Sequence, residues 1–180
     1  KFKRISIGEI TDISNRAMTI LKLKENIRLK SCLLCQENSC LYIVSSIGRI
    51  IKIQITKSNF PSMGKLAQGT SIMKLFPGEN IINALNIQEN LVKDLVLITN
   101  KGYFIKHNSK EIKISKKGEL GTIGINLKDN KNINDRVINC FLNNQYVYIK
   151  TDKEKYKKVE KDQIDNSLYQ KEQKLNINLD

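Results

Sequence analysis

Tryptophan is absent from this 180-residue chain, histidine occurs once and proline twice. With His107 as the only imidazole, a multi-histidine metal site is excluded, and no Ser, Cys or Asp constellation surrounds it for nucleophilic catalysis. There is no apolar run of about 18 residues, the length a membrane-spanning helix needs, so no membrane partner is expected. The first residues, KFKRISIGEITD, lack the apolar stretch of a signal peptide. They also lack an initiator Met, which is expected of a piece of a longer protein. Helical periodicity is nearly absent, and the one helix expected lies in the tail near 160–173. Acidic residues are scarce, 18 against 31 Lys and Arg, and they are scattered with no Asp-x-Asp cluster for magnesium.

What is present in excess is positive charge. The formal net charge is +13, which points to a polyanionic partner, of which nucleic acid is the commonest. The hydrophobic fraction of 40% is enough for a core and consists mostly of Ile, Leu and Val. Of the four cysteines, Cys32 and Cys35 form a C-x-x-C. The surrounding CLLCQ reads as a strand, in which residues three apart point to opposite faces. The sulfurs are therefore expected to diverge and to stay reduced, with no metal bound.

The chain repeats itself, with a period of about fifty residues. LYIVSSIGRIIKI at 41–53 matches LVLITNKGYFIKH at 95–107, and YVYIKTDKEKYKK at 146–158 fits as a third copy with Lys153 where the glycine was. KFKRI at the start fits the outgoing strand of an earlier copy. Between these hairpins a second element recurs. TILKLKENIRLKSCLL at 19–34 pairs with SIMKLFPGENIINALNI at 71–87 and with IGINLKDNKNINDRVINCFL at 123–142, and LNINLD at 175–180 repeats its beginning. The repeats read as 1–40, 41–93, 94–144 and 145–180 of a single domain.

Each repeat decodes as β-structure. Two β-branched runs flank a tight turn in which Gly48 and Gly102 are expected at positive φ. The second element turns at Pro77-Gly78, where Pro pre-sets φ and Gly accepts the positive φ of a type II turn. Four short strands per repeat is the size of a propeller blade. In RIIKIQI, Ile51, Ile53 and Ile55 share one face and Ile50, Lys52 and Gln54 the other. Lys52, Lys106 and Lys157 recur at matching positions, with Lys3 as the expected earlier equivalent. A radial array would set them around one rim as a continuous positive track.

SSIGRIIKIQITKSNFPSMGKLAQGTSIMKLFPGENI at 45–81 and DLVLITNKGYFIKH at 94–107 resemble the C-terminal domain of DNA gyrase A and its topoisomerase IV counterpart. The shared pattern is a G-R turn, a basic strand, a loop with a G-x-x-x-x-G-T element, an apolar strand and a G-E turn. The resemblance implies an all-β pinwheel of four-stranded blades, about three to four here, open or truncated, with strands exchanged between neighbouring blades. It implies a non-catalytic domain that binds and bends duplex DNA along its outer edge with little sequence preference. Its partners would be that DNA, the rest of the topoisomerase A subunit, plus the ATPase B subunit, in the cytoplasm on the nucleoid or in an organelle. Carried over onto this chain, the rim candidates are Arg49, Lys52, Lys57 and Lys65 in one blade. Lys106, Lys110, Lys113, Lys116 and Lys117 are those of the next blade, and Lys155, Lys157 and Lys158 those of the last. The family's Gln-Arg-rich glycine heptad corresponds to GKLAQGT at 64–70, which keeps the glycines and lacks the arginines. The alternatives are a topoisomerase IV-type substrate-engaging domain, or a propeller-like protein-interaction module whose charge is incidental.

Other chemistry is not expected. GKLAQGTS at 64–71 has the glycine spacing of a phosphate-binding loop but carries Thr70 where the lysine is required. His107 is expected at the surface, touching at most a phosphate. No cofactor is expected. The family's strand-cleaving tyrosine belongs to another domain, and none of the six tyrosines here inherits that role.

Overall fold

A computed structural model describes residues 1–11, 17–127, 134–143, 146–150, 155–160 and 173–174. Among the described residues, beyond one 3-10 turn at Ile7–Glu9, the regular structure is all strand. The hairpin β1 (Cys40–Ser45) and β2 (Arg49–Gln54) is followed by β3 (Ile81–Ile87). The hairpin β4 (Asp94–Thr99) and β5 (Tyr103–Asn108) is followed by β6 (Thr122–Ile123) and β7 (Val137–Leu142). Then come β8 (Tyr146–Lys150), β9 (Tyr156–Glu160) and β10 (Gln173–Lys174). The expected tail helix lies outside the described residues over 161–172, and its two ends belong to β9 and β10.

The hairpins form where two apolar runs flank a turn glycine. Gly48 and Gly102 both have φ of 82°, and their amides donate to the carbonyls of Ser45 and Thr99. A register shift recurs at Val44/Ser45 and at Ile98/Thr99, so the two copies share even their irregularity. Lys153, the third copy's residue at the glycine position, lies outside the described residues.

The sheet orders show how the repeats interlock. One four-stranded sheet runs β3-β1-β2-β6, a second runs β10-β5-β4-β7, and β8-β9 pair by themselves. The sheets are open. In each four-stranded sheet the first three strands in sequence come from one repeat and the last is donated by the following repeat. Ile50 pairs with Thr122, and Phe104 with Gln173. Phe2 makes the same bridge with Thr70. The second element of each repeat is therefore not a hairpin within one sheet. Its first arm crosses to the preceding blade, while its second arm, as β3 or β7, pairs with its own.

Gly69 and Gly121 permit that crossing. A Cβ on Gly121 would lie 2.5 Å from the Ile50 carbonyl oxygen, and one on Gly69 would lie 2.5 Å from that of Phe2. Both glycines also have positive φ, 74° and 77°, so a side chain is disfavoured by the backbone as well as by space.

Three apolar layers result. Leu41, Ile43, Ile51 and Ile53 pack with Phe60, Ile72 and Met73 on one face of the first sheet. Tyr42, Val44 and Ile50 on its other face meet Leu95, Leu97, Val137 and Cys140 of the second. Val96 and Phe104 on the far side of the second sheet meet Val159, Val147 and Ile149 of the last hairpin. Fully burying each such side chain stabilises by about 1.5–3 kcal/mol.

Two expectations are corrected by the pairing. Lys52 stands opposite Tyr42, Lys106 opposite Val96 and Lys158 opposite Tyr148. The third copy is therefore shifted by one residue, and Lys158, not Lys157, matches Lys52 and Lys106. Because side chains alternate along a strand, that single step changes the face of every residue in the copy. At the other end Arg4, not Lys3, matches Lys52. Met63 N–H donates to the Arg4 carbonyl as Ser115 N–H donates to that of Lys52.

Residues 19–34 form no strand. In the other repeats the second arm of the matching segment pairs with β1 or β4, and among the described residues no strand lies beside 19–34. Cys32-Leu-Leu-Cys35 is thus irregular, with Cys32 exposed, and all four cysteines are free thiols.

Candidate nucleic-acid interface

The recurring cation of the outgoing strand is half-buried in the first two copies and buried in the third. An Arg4 Nη1–H donates to the Phe60 carbonyl at 2.9 Å, and Lys52 Nζ donates to the Ser109 carbonyl at 2.8 Å. In both cases the acceptor belongs to the connecting loop of the next repeat. The Tyr42 hydroxyl donates to the same Ser109 carbonyl at 3.0 Å, and Lys52 Nζ lies 5.4 Å from the Tyr42 ring centroid. Lys106 is only 4% exposed. In its first two copies the position joins one blade to the next, and only its fourth copy, Lys158, is exposed. That departs from the solvent-facing track expected of Lys52 and Lys106.

Arg49 is also buried, at 6% exposure. Its guanidinium forks onto the Glu79 carboxylate, with Nε to Oε1 at 3.0 Å and Nη2 to Oε2. Nη2 further donates to the Lys74 carbonyl and Nη1 to that of Leu120, while the plane lies 4.5 Å from the Phe76 ring centroid. Burial alone would raise the pKa of Glu79. The hydrogen bonds from Arg49, Ser45 and the Phe76 amide outweigh it and hold the carboxyl below its ordinary value. The G-R turn and the G-E turn of one repeat are thus two halves of a buried ion pair, which also grips the following repeat through Leu120.

The exposed cations sit on the connecting loops. Lys57 follows β2, and Lys110, Lys113 and Lys116 follow β5, all four exposed. Lys65 and Lys117, at matching places in the two loops, are half-buried. Lys65 Nζ approaches Met18 Sδ at 2.8 Å, and Lys117 Nζ lies 5.8 Å from the Phe60 ring centroid. Lys155 and Lys158 are exposed and Lys157 half-buried on the last hairpin. Sequence reasoning passed over Lys74, assigned to an apolar strand. It is exposed, and its amide donates to the Glu119 carbonyl, which sets it against the Lys116–Lys117 loop.

His107 is half-buried, not at the surface. Its Nε2 donates to the Gly124 carbonyl at 2.5 Å, and burial holds its pKa below the ordinary imidazole value. It is neutral at pH 7 and serves packing. Among the described residues no group of three or more His, Cys, Asp or Glu side chains could hold a metal ion, and no helix is long and apolar enough to cross a membrane.

The sequence profile of the family described as DNA gyrase C-terminal domain, beta-propeller, matches residues 41–88 and 93–144, more than half of the chain. The chain belongs to this family. The fold agrees. The crystal structure of the C-terminal domain of DNA topoisomerase IV superposes with a TM-score of 0.70 at 18% identity, covering 81% of this chain and 44% of that one. The E. coli ParC C-terminal domain gives 0.59 at 14% identity, covering 82% and 58%. A DNA gyrase A C-terminal domain gives 0.50 at 16% identity, covering 82% and 44%. The chain thus spans about half the length of these structures. No curated protein sequence matches it. The family is that of the accessory C-terminal domains of type IIA topoisomerases. The blade pattern that carried the resemblance is the pattern of its two complete sheets.

Proposed function

We propose that this domain binds duplex DNA through its connecting loops and bends it, as a non-catalytic part of a topoisomerase A subunit. Its partners would be the DNA, the remainder of that subunit, plus the ATPase B subunit, on the nucleoid or its organellar equivalent. The observation that carries this reading is the display of exposed lysines on matching loops of successive sheets. Lys57 occupies the loop after β2, Lys110, Lys113 and Lys116 the loop after β5, and Lys74 lies beside the latter. Loops that point the same way from stacked sheets form a stepped track, and a stepped track suits a curved backbone better than a straight one. Bending a site of 20–30 bp costs on the order of 1–6 kcal/mol, which several phosphate contacts can offset. With no base-reading helix, sequence preference should be weak.

The heptad GKLAQGT, without arginines, favours bending with little wrapping, the manner implied by the topoisomerase IV resemblance. If the five exposed lysines Lys57, Lys74, Lys110, Lys113 and Lys116 each neutralise one phosphate, affinity should fall about 500-fold between about 50 and 200 mM salt. Fluorescence anisotropy on a duplex of about 30 bp, with end-to-end energy transfer to report the bend, tests this. K57E/K113E/K116E should weaken binding and flatten the salt dependence. Unchanged affinity in that variant, or a duplex that stays straight when bound, would sink the reading in favour of a protein-interaction module.

A further inference from the structure

Two exposed isoleucines stand on the outer edge of the first sheet, among its lysines. Ile114 is 63% exposed and Ile123 71%. Ile114 bridges to Lys52 and Ile123 pairs with Arg49. Both therefore lie just beyond β2, separated along it by about 10 Å. The sheet has all four of its strands and a packed layer on each face, so this exposure belongs to the edge itself. The preceding repeat has the same edge with other residues on it. Met63 N–H reaches the Arg4 carbonyl as Ser115 N–H reaches that of Lys52, and Thr70 bridges Phe2 as Thr122 pairs with Ile50. The positions matching Ile114 and Ile123 are therefore Ser62 and Ser71, both exposed. The fold accepts serine at each place, so packing does not account for the isoleucines.

Each isoleucine is held by its backbone. Beside Ile114, Ser115 N–H donates to the Lys52 carbonyl at 2.7 Å. Beside Ile123, the amides of Gly124 and Ile125 donate to the Gly48 carbonyl at 2.8 and 3.1 Å. A β-branched side chain on a fixed backbone has few rotamers to lose. Lys113 and Lys116 flank Ile114 in sequence and are exposed, and the Lys74 amide is fastened to the Glu119 carbonyl of the same loop. Apolar points set among cations fit a polyanion with apolar surface between its charges. A duplex is built that way, with phosphates outside and base steps within. Proteins that bend DNA from the minor groove insert apolar side chains such as isoleucine between base steps, unstack them in part and kink the duplex by about 20–90°. At about 3.4 Å per base pair the two side chains stand about three steps apart. We propose that Ile114 and Ile123 enter the minor groove of the bound duplex as wedges, with Lys113 and Lys116 on the flanking phosphates, and that the bend is concentrated there as a kink. This rests on the duplex-binding reading and adds to it the residues that make the bend.

The test uses the 180-residue chain and a duplex of about 30 bp with one central TA step, a step that kinks easily, labelled at both ends for energy transfer. A fluorescent base analogue at that step reports unstacking. I114S/I123S should abolish the unstacking signal and at least about half of the bend. Its affinity should stay within about fivefold of wild type and its salt dependence should not change, because no charge is removed. I114L/I123L should bend the duplex as the wild type does. The two serines are those of the preceding repeat, so the variant should keep its unfolding midpoint. A wild-type chain that bends the duplex without unstacking it would overturn the proposal. So would an I114S/I123S chain that bends the duplex as fully as the wild type, and the two isoleucines would then be left to an apolar protein partner. A wild-type chain that does not bind the duplex at all would remove the duplex-binding reading, and the wedges with it.

Discussion

Breaking the Arg49–Glu79 pair on one side only should cost far more than removing it whole. Side-chain exposure is 7% for Arg49 and 1% for Glu79, so either partner left alone is a buried, uncompensated charge. Glu79→Met strands a guanidinium that retains two backbone carbonyls and the Phe76 ring. Arg49→Met strands a carboxylate that retains the Phe76 amide, 2.8 Å away. Each single change should cost about 3–5 kcal/mol, a large share of the ~5–15 kcal/mol that keeps a domain folded. At a urea slope near ~2 kcal/mol per molar the unfolding midpoint would fall by about 1.5–2.5 M. The double variant R49M/E79M replaces the pair with apolar volume and should lose less than either single variant. Arg49→Lys should fall in between, because an ammonium cannot span the carboxylate and two carbonyls as a planar fork does. Urea titrations of the four variants, followed by far-ultraviolet circular dichroism, decide the matter. Single variants within about 1 kcal/mol of wild type, or a double variant whose loss equals the sum of the singles, would refute the claim that the two charges depend on each other.

The same pair gives a pH dependence. Glu79 is held below its ordinary pKa in the folded state, so its stabilisation is present above about pH 4.3 and is lost as pH falls through the folded value. Glu79→Gln should flatten the acid limb of a midpoint-versus-pH plot. His107 also titrates below its ordinary value. The unfolded chain therefore binds a proton first, and stability should decline as pH falls below about 6.5, a decline that His107→Gln should remove. Gly121→Ala places a Cβ 2.5 Å from a backbone oxygen, whereas at Gly118, also at positive φ, a Cβ meets nothing within 4 Å. Gly118→Ala should cost about 1–2 kcal/mol and Gly121→Ala clearly more, by thermal unfolding. With a thiol reagent at neutral pH, exposed Cys32 should react first. Burial pushes the Cys140 thiol up to about 12, and it should stay silent until the chain unfolds.

The hairpins at 41–53 and 95–107 were legible because two local signals agree there, continuous apolar runs and a turn glycine. The third copy lacks the glycine and has apolar residues at every other position only, and its register came out one residue off. Recurrence of the strand cation was legible, but its task was not. Lys52 and its acceptor at Ser109 are 57 residues apart, and no local pattern marks a carbonyl as an acceptor. Arg49 looked like a rim residue for the same reason, since its partner stands 30 residues on. The G-E turn that supplies the partner was visible, and pairing the two turns was the inference the sequence could have supported. Strand exchange followed from the family pattern, not from periodicity, because a two-residue strand such as β6 carries no periodicity. The segment 19–34 has the composition of its counterparts, and composition does not reveal whether a strand lies beside it to pair with.

Each four-stranded sheet is finished by residues that the ribosome makes about seventy positions later, as Ile50 waits for Thr122 and Phe104 for Gln173. During synthesis every blade therefore remains a three-stranded intermediate with one raw edge until its successor has emerged. Mechanical load would run the other way. A pull on the distal end acts first on β10, whose departure bares β5, and only then can the strain move toward Thr122. Such a chain should give way under tension as a series of separate steps, from last to first.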